Sequence, residues 1–161
     1  PRKILEMIEA VEIRQGERWE RLRPGSGFEI RATIEFDHPS VSQQELNIEL
    51  SPEVYRRELA WARTFGFFAD IEGLRRMGLI RGGSLDNAVV FGPDGVMNPE
   101  GLRAPDEPIR HKVLDMVGDL ALIGYPIRGI FEASRPGHAL TRALVAEILQ
   151  RESCWRLLAS E

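Results

Sequence analysis

The chain has 161 residues, 43% hydrophobic and 29% charged, with a formal net charge of −4 at pH 7, the balance of an ordinary globular domain rather than a disordered or fibrous chain. That charge leaves no clustered basic footprint for nucleic acid, and no apolar run approaches the roughly 20 residues needed to span a bilayer. The single cysteine, Cys154, excludes an internal disulfide and fits a reducing compartment.

In chain order, residues 3–14 and 18–22 flank Gln15-Gly16 as the arms of a hairpin. FEIRATIEF, residues 28–36, puts Phe28, Ile30, Ala32, Ile34 and Phe36 on one face at period two, until Pro39 removes a ladder N–H. LNIEL, residues 46–50, reads as a further strand. Ser51-Pro52 then opens a helix running to about Ala62, by N-cap serine and first-turn proline. ADIEGLRRMGL reads as a short helix closed by Gly78, and SLDNAVVFGPDGVM as two strands around a Pro93-Asp94-Gly95 turn. The strand–helix–strand unit so formed carries Phe65, Phe67, Phe68, Ile71, Leu74, Leu79, Ile80 and Leu85, an apolar content that calls for a partner surface or a ligand. DEPIRHKVLDMVGDLALIG is the next helix, YPIRGIFEA a strand and GHALTRALVAEILQRE a terminal helix. No repeat, low-complexity tract or linker interrupts this order. The pattern predicts an α+β fold, a mostly antiparallel sheet packed against helices on one face. No signal peptide is visible, and a start at Pro1 without methionine reads as a piece of a longer polypeptide.

Chemistry concentrates on the helix HKVLDMVGDL. His111 and Asp115 stand at i and i+4 and share a helix face. A neutral imidazole and a carboxylate so placed suit one zinc ion, though a solvated pair has the same spacing. Asp119, one turn on, is placed to accept from and orient another side chain. His138, in Arg135-Pro136-Gly137-His138, stands where a strand turns into the last helix, as a catalytic group or a turn residue. Thr64 can donate to an oxyanion or cap a helix end. Gly82-Gly83-Ser84 allows close backbone approach or is a plain loop. Cys154 reads as a packing residue and His38 as a turn residue.

Four stretches, ARTFGF (62–67), DIEGLRRMGLIRGGSLDNAVV (70–90), GLRAPDEPIRHKVLDMVGDL (101–120) and RPGHAL (135–140), together with IEFDHPS (34–40), closely resemble the UDP-3-O-acyl-N-acetylglucosamine deacetylase family. This is the zinc-dependent enzyme of lipid A biosynthesis in Gram-negative bacteria. The resemblance implies a two-layer α/β sandwich that is the C-terminal domain of a two-domain enzyme. Its own N-terminal domain is then a partner, supplying a third zinc ligand and a glutamate general base. Further implications are a cytoplasmic monomer and amide hydrolysis of UDP-3-O-acyl-N-acetylglucosamine, with His111 and Asp115 as metal ligands. In that scheme Thr64 donates to the oxyanion, and His138, oriented by Asp119, stabilises it or protonates the leaving amine. Lys112 and Arg135 match positions near the substrate diphosphate, Phe65 a uracil-side aromatic and Asp70 a uridine contact. The stretch 66–96 matches a β-α-β insert enclosing the acyl chain, with Phe68, Ile71, Ile80, Gly83, Ser84, Leu85, Ala88 and Val90 along its passage. Two departures stand out. Pro108 and Ile109 replace a frequent phenylalanine and valine and bear on where the helix begins. Pro136 replaces a frequent serine and bears on the stiffness of the loop before His138. An isolated chain of this kind can also be a module that binds nucleotide and acyl chain without turnover.

Overall fold

The computed structural model describes residues 3–78 and 84–159, apart from the side chains of residues 72, 74 and 75. Alternation of apolar and polar residues builds its main sheet. Strand β4 (Phe28–Glu35) buries Ile30, Ala32 and Ile34 on one face, and β9 (Ile127–Ser134) buries Phe131 and Ala133 on the same side. Among the described residues seven strands join in this sheet. Strand β9 is its hub. It pairs antiparallel with β3 (Arg18–Arg23), parallel with β4 over Gly129 to Ser134, and parallel with β1 (Lys3–Met7) at Ile127 and Arg128. Antiparallel partners extend it further: β2 (Val11–Gln15) on β3, β5 (Gln43–Glu49) on β4, and β10 (Trp155–Ala159) on β1.

The expected hairpin arm over residues 3–14 is in fact two strands. β1 ends at Met7, β2 begins at Val11, and they join different neighbours, so only β2 and β3 form the hairpin at Gln15. The chain also continues past the last helix into β10, which pairs with β1 from Lys3↔Ala159 to Met7↔Trp155. Periodicity within the tail carries no trace of a partner some 150 residues away.

Helices cover the inner face. α3 (Glu107–Leu120) buries Ile109, Val113, Met116 and Leu120, and α4 (His138–Gln150) buries Leu140, Leu144, Val145 and Ile148. These i, i+4, i+7 stripes face β2 to β5 and each other. The result is an α+β fold with one helical layer on one sheet. Pro108 stands in the first turn of α3, where its missing N–H would have no helical partner anyway. The outer face is polar: Arg21 Nε and Arg23 Nε both donate to Glu132 Oε2 at 2.9 Å.

Ser51 caps the expected helix, its Oγ accepting from Val54 N at 3.1 Å. After three α-helical residues (α1, Pro52–Val54) that helix widens to a π-helical turn over Tyr55–Leu59. A second small sheet follows. In it β6 (Thr64–Phe67) runs parallel to β7 (Ala88–Gly92), α2 (Phe68–Arg76) leads away from β6, and β8 (Gly95–Val96) turns back on β7. An aromatic cluster joins the two sheets: the Phe36 ring lies 5.5 Å from Phe65 and 5.3 Å from Phe67. His38 lies within it, 5.0 Å from Phe67, its Nδ1 accepting from Ser40 N in the turn. Cys154 is fully buried. No helix among the described residues is long and apolar enough to cross a membrane.

Candidate metal centre and its surroundings

Asp115 is the meeting point of the charged residues on α3 and α4. Its Oδ1 lies 3.3 Å from His111 Nε2, and its Oδ2 lies 3.7 Å from Lys112 Nζ and 3.8 Å from His138 Nε2. On the far side of the His138 ring, Nδ1 lies 2.6 Å from Asp119 Oδ2. A carboxylate accepts only, so Nδ1 carries the proton and Nε2 turns toward Asp115. Spacing on α3 placed Asp119 to orient a neighbour; the structure supplies that neighbour from α4. Lys112, Asp115, Asp119, Gly137, His138 and Thr141 together line a cleft between the two helices.

The tautomer of His111 is set in the same way. Its Nδ1 lies 3.1 Å from the carbonyl oxygen of Ala62, which can only accept, so in the neutral imidazole the lone pair is on Nε2 facing Asp115. Two acceptors thus face each other at 3.3 Å. That separation fits a cation between them, because tetrahedral zinc with donors at about 2.0–2.2 Å holds neighbouring donors roughly 3.3–3.5 Å apart. The Nδ1–H bond to a backbone carbonyl is the usual companion of a metal-ligating imidazole. The donor set therefore fits zinc. Among the described residues no three His, Cys, Asp or Glu side chains gather into a complete metal site.

The carbonyl of Ala62 is itself held by a buried clamp that sequence reasoning missed. Arg63 donates from N and Nε to Glu107 Oε1 at 3.1 and 2.9 Å, and from Nη2 to Oε2 at 3.1 Å. Arg103 N adds a 2.7 Å bond to Oε2. Glu107 is fully buried. Burial pushes its carboxyl up, but Arg63 and the backbone N–H groups of Arg103 and Arg63 outweigh this and hold it below the ordinary 4.5. The first turn of α3 is thereby tied to the chain entering β6, which sets both Ala62 and the exposed Thr64 relative to His111.

The remaining expected residues are more dispersed. Phe65 is half-buried, 6.3 Å from the His111 ring and edge-on to it, with most of its contacts inside the aromatic cluster. Arg135 has an unusual φ of 50° and spends its guanidinium on Glu17 at 2.7 Å and Glu35 at 2.5 Å. Phe68 and Asp70 are exposed at the start of α2, and Ile71 is half-buried there. Ser84 N donates to Asn87 Oδ1 at 2.9 Å in the turn before β7, where Ala88 is half-buried. Val90 is buried, its N–H donating to Asn98 Oδ1 at 2.9 Å. Ile80 and Gly83 lie outside the described residues. Glu20 also escaped notice, although it shares the inward face of β3 with Leu22, two residues on. A carboxylate at an inward strand position is the signal that could have found it.

Comparison with known proteins identifies the family. The family model described as UDP-3-O-acyl N-acetylglycosamine deacetylase matches residues 1–150. The chain is 48% identical to a UDP-3-O-acyl-N-acetylglucosamine deacetylase of Anaeromyxobacter sp. (strain Fw109-5) over 157 residues, covering 98% of this chain and 52% of the relative. Like-named proteins of Phenylobacterium zucineum and Psychrobacter arcticus are 44% and 46% identical, over 98% and 92% of this chain and 54% and 47% of their own lengths. The chain spans about half the length of these curated relatives. By its residues and by the family model alike, the chain belongs to the UDP-3-O-acyl N-acetylglycosamine deacetylase family.

Proposed function

We propose that this chain is the substrate-binding half of a cytoplasmic, zinc-dependent deacetylase. The enzyme would hydrolyse the acetamide of UDP-3-O-acyl-N-acetylglucosamine and release acetate, the committed step of lipid A biosynthesis. One observation carries the reading. Asp115 faces the bare Nε2 of His111 at 3.3 Å on one side and His138 Nε2 at 3.8 Å on the other, so a metal-ligating pair adjoins a histidine already paired with its own carboxylate.

Zinc, when bound, supplies Lewis-acid polarisation of the amide carbonyl and acidifies a water molecule. His111 and Asp115 would hold it, and the third ligand and a glutamate base would come from the half of the family's length that this chain does not span. His138, oriented by Asp119 at 2.6 Å, presents its Nε2 to the reacting centre. As imidazolium it stabilises the oxyanion and passes its proton to the departing amine. Thr64 donates its hydroxyl to the same oxyanion. Lys112 and Arg135 draw the diphosphate, Phe65 and Asp70 the uridine. The 66–96 unit encloses the acyl chain along Phe68, Ile71, Ile80, Gly83, Ser84, Ala88 and Val90.

The two histidines separate in a direct test on protein carrying both halves of the family's length. His111→Ala should lose bound zinc and turnover together. His138→Ala should retain about one zinc per chain while kcat falls on the order of 100-fold or more. Zinc loss in His138→Ala, or full zinc in His111→Ala, would reverse the assignment.

A further inference from the structure

The first turn of α4 presents His138 outward, and on its inner side a second carboxyl group meets the same turn. Glu20, on β3, is fully buried. Its Oε1 accepts from Gly137 N at 3.2 Å and from Thr141 Oγ1 at 3.0 Å, while its Oε2 has no hydrogen-bond partner among the described residues. Gly137 is the N-cap of α4 and has no side chain to serve the free N–H groups there. A side chain at that position would run into the Arg18 guanidinium, whose Nε donates to Arg135 O at 3.0 Å. Strand β3 therefore holds the 135–137 loop at two points, through Arg18 and Glu20.

Packing alone gives no reason for a carboxyl group at residue 20. A leucine there would continue the inward face beside Leu22 and leave no orphaned oxygen in the core, where an unpaired polar atom costs stability. What the carboxyl does provide is two bonds, one to the residue before His138 and one to the residue a turn beyond. On the other side of the turn, Asp119 takes the ring's Nδ1–H at 2.6 Å. The ring is held by α3 and the backbone that carries it by β3.

We infer that Glu20 is a positioning residue for His138: through the Gly137 N–H and the Thr141 hydroxyl it fixes the first turn of α4, keeping the imidazole on Asp119 with Nε2 toward Asp115. Its kinetic consequence rests on the proposed function of His138; its effect on the ring does not. Both are measured on protein carrying both halves of the family's length. Glu20→Gln keeps an acceptor for the two bonds and should stay within about 3-fold of the parent in kcat. Glu20→Leu removes both bonds and should lower kcat about 10-fold or more, with KM and zinc content unchanged, because a small displacement of a catalytic group is felt in the chemical step. At a pH where the His138 ring is neutral, nitrogen-15 NMR should report the Nδ1-protonated tautomer in the parent and in Glu20→Gln, and a mixture of tautomers in Glu20→Leu. Thr141→Val, which deletes one of the bonds, should give an intermediate loss in both readouts and stands in for Glu20→Leu should that variant not fold. An unchanged tautomer and kcat in Glu20→Leu, or in Thr141→Val where it stands in, overturns the inference, as does Glu20→Gln damaged as badly as Glu20→Leu. A parent without deacetylase activity whose tautomer still responds to these variants sinks the proposed function and leaves the positioning role standing.

Discussion

At residue 20 the fold trades stability for placement, and the trade has a pH signature. Burial pushes the Glu20 carboxyl from 4.5 up to about 7, against the pull of Gly137 N–H, Thr141 and Arg18 and with a further push from Asp119. Between those two values the folded chain keeps a proton that the unfolded chain has released. Folded protein then binds more protons than unfolded, so rising pH favours unfolding. Ionisation of Glu20 should therefore take away on the order of 2–3 kcal/mol of the wild type's stability as pH climbs from 4.5 to about 7. Glu20→Gln has no such group and should not share that loss. Urea unfolding of both proteins at pH 5 and pH 8 measures it: the difference between them should shift toward the glutamine variant at the higher pH. Parallel behaviour of the two proteins would mean that Glu20 ionises alike folded and unfolded. The sequence carried part of this. Alternation in RWERLR puts Glu20 and Leu22 on one face, but whether that face is inward depends on β9, more than 100 residues away.

Element-scale behaviour is clearest in α3, which holds the His111–Asp115 pair. Two glycines near its end both have open space where a side chain would go, yet they should respond oppositely to alanine. Gly118 lies within the helix, where alanine's smaller loss of backbone freedom should stabilise by about 0.5–1 kcal/mol. Gly124 follows the closing 3-10 turn Ala121–Ile123 at φ 82°, a left-handed conformation that a Cβ disfavours, so Gly124→Ala should destabilise by about 1 kcal/mol. Thermal melts of the two variants should move in opposite directions. Helix α3 was legible from its proline, its i, i+4 apolar stripe and its closing glycine, because all three are local. The His111–Asp115 proximity was legible for the same reason. From the residues alone, His138 meeting Asp119 was legible only as a need on one helix and a candidate on another; the pairing itself came from the family resemblance. Strand β10, the break between β1 and β2, and the Arg63–Glu107 clamp depend on partners far along the chain, and local periodicity carries no record of them.

At the scale of the whole molecule, the chain presents the two donors proposed for zinc, His111 and Asp115, and spans about half the length of its relatives. Two protein ligands hold zinc weakly, and a catalytic zinc site ordinarily has three. The isolated chain should therefore release zinc readily on dialysis, and its turnover of a nucleotide-sugar acetamide should be negligible. A rate near that of protein carrying both halves would mean that the chain is catalytically complete. Retention of nucleotide and acyl ligand without turnover is the outcome expected of a binding module.

Strand β9 touches three strands that the chain makes long before it, at residues 3–7, 18–23 and 28–35. The consequence is temporal. Hairpins β2–β3 and β4–β5 are local and can close within microseconds, but neither has its central neighbour until residue 134 exists. β1 waits longer for β10, which begins at Trp155. Until β9 inserts, β3 and β4 each present an open edge and an uncovered apolar face, the condition under which partly folded chains associate. Contacts so distant in sequence make for slow folding. During synthesis, the interval in which these strands are most exposed to aggregation ends only when β9 (Ile127–Ser134) and β10 (Trp155–Ala159) have been made.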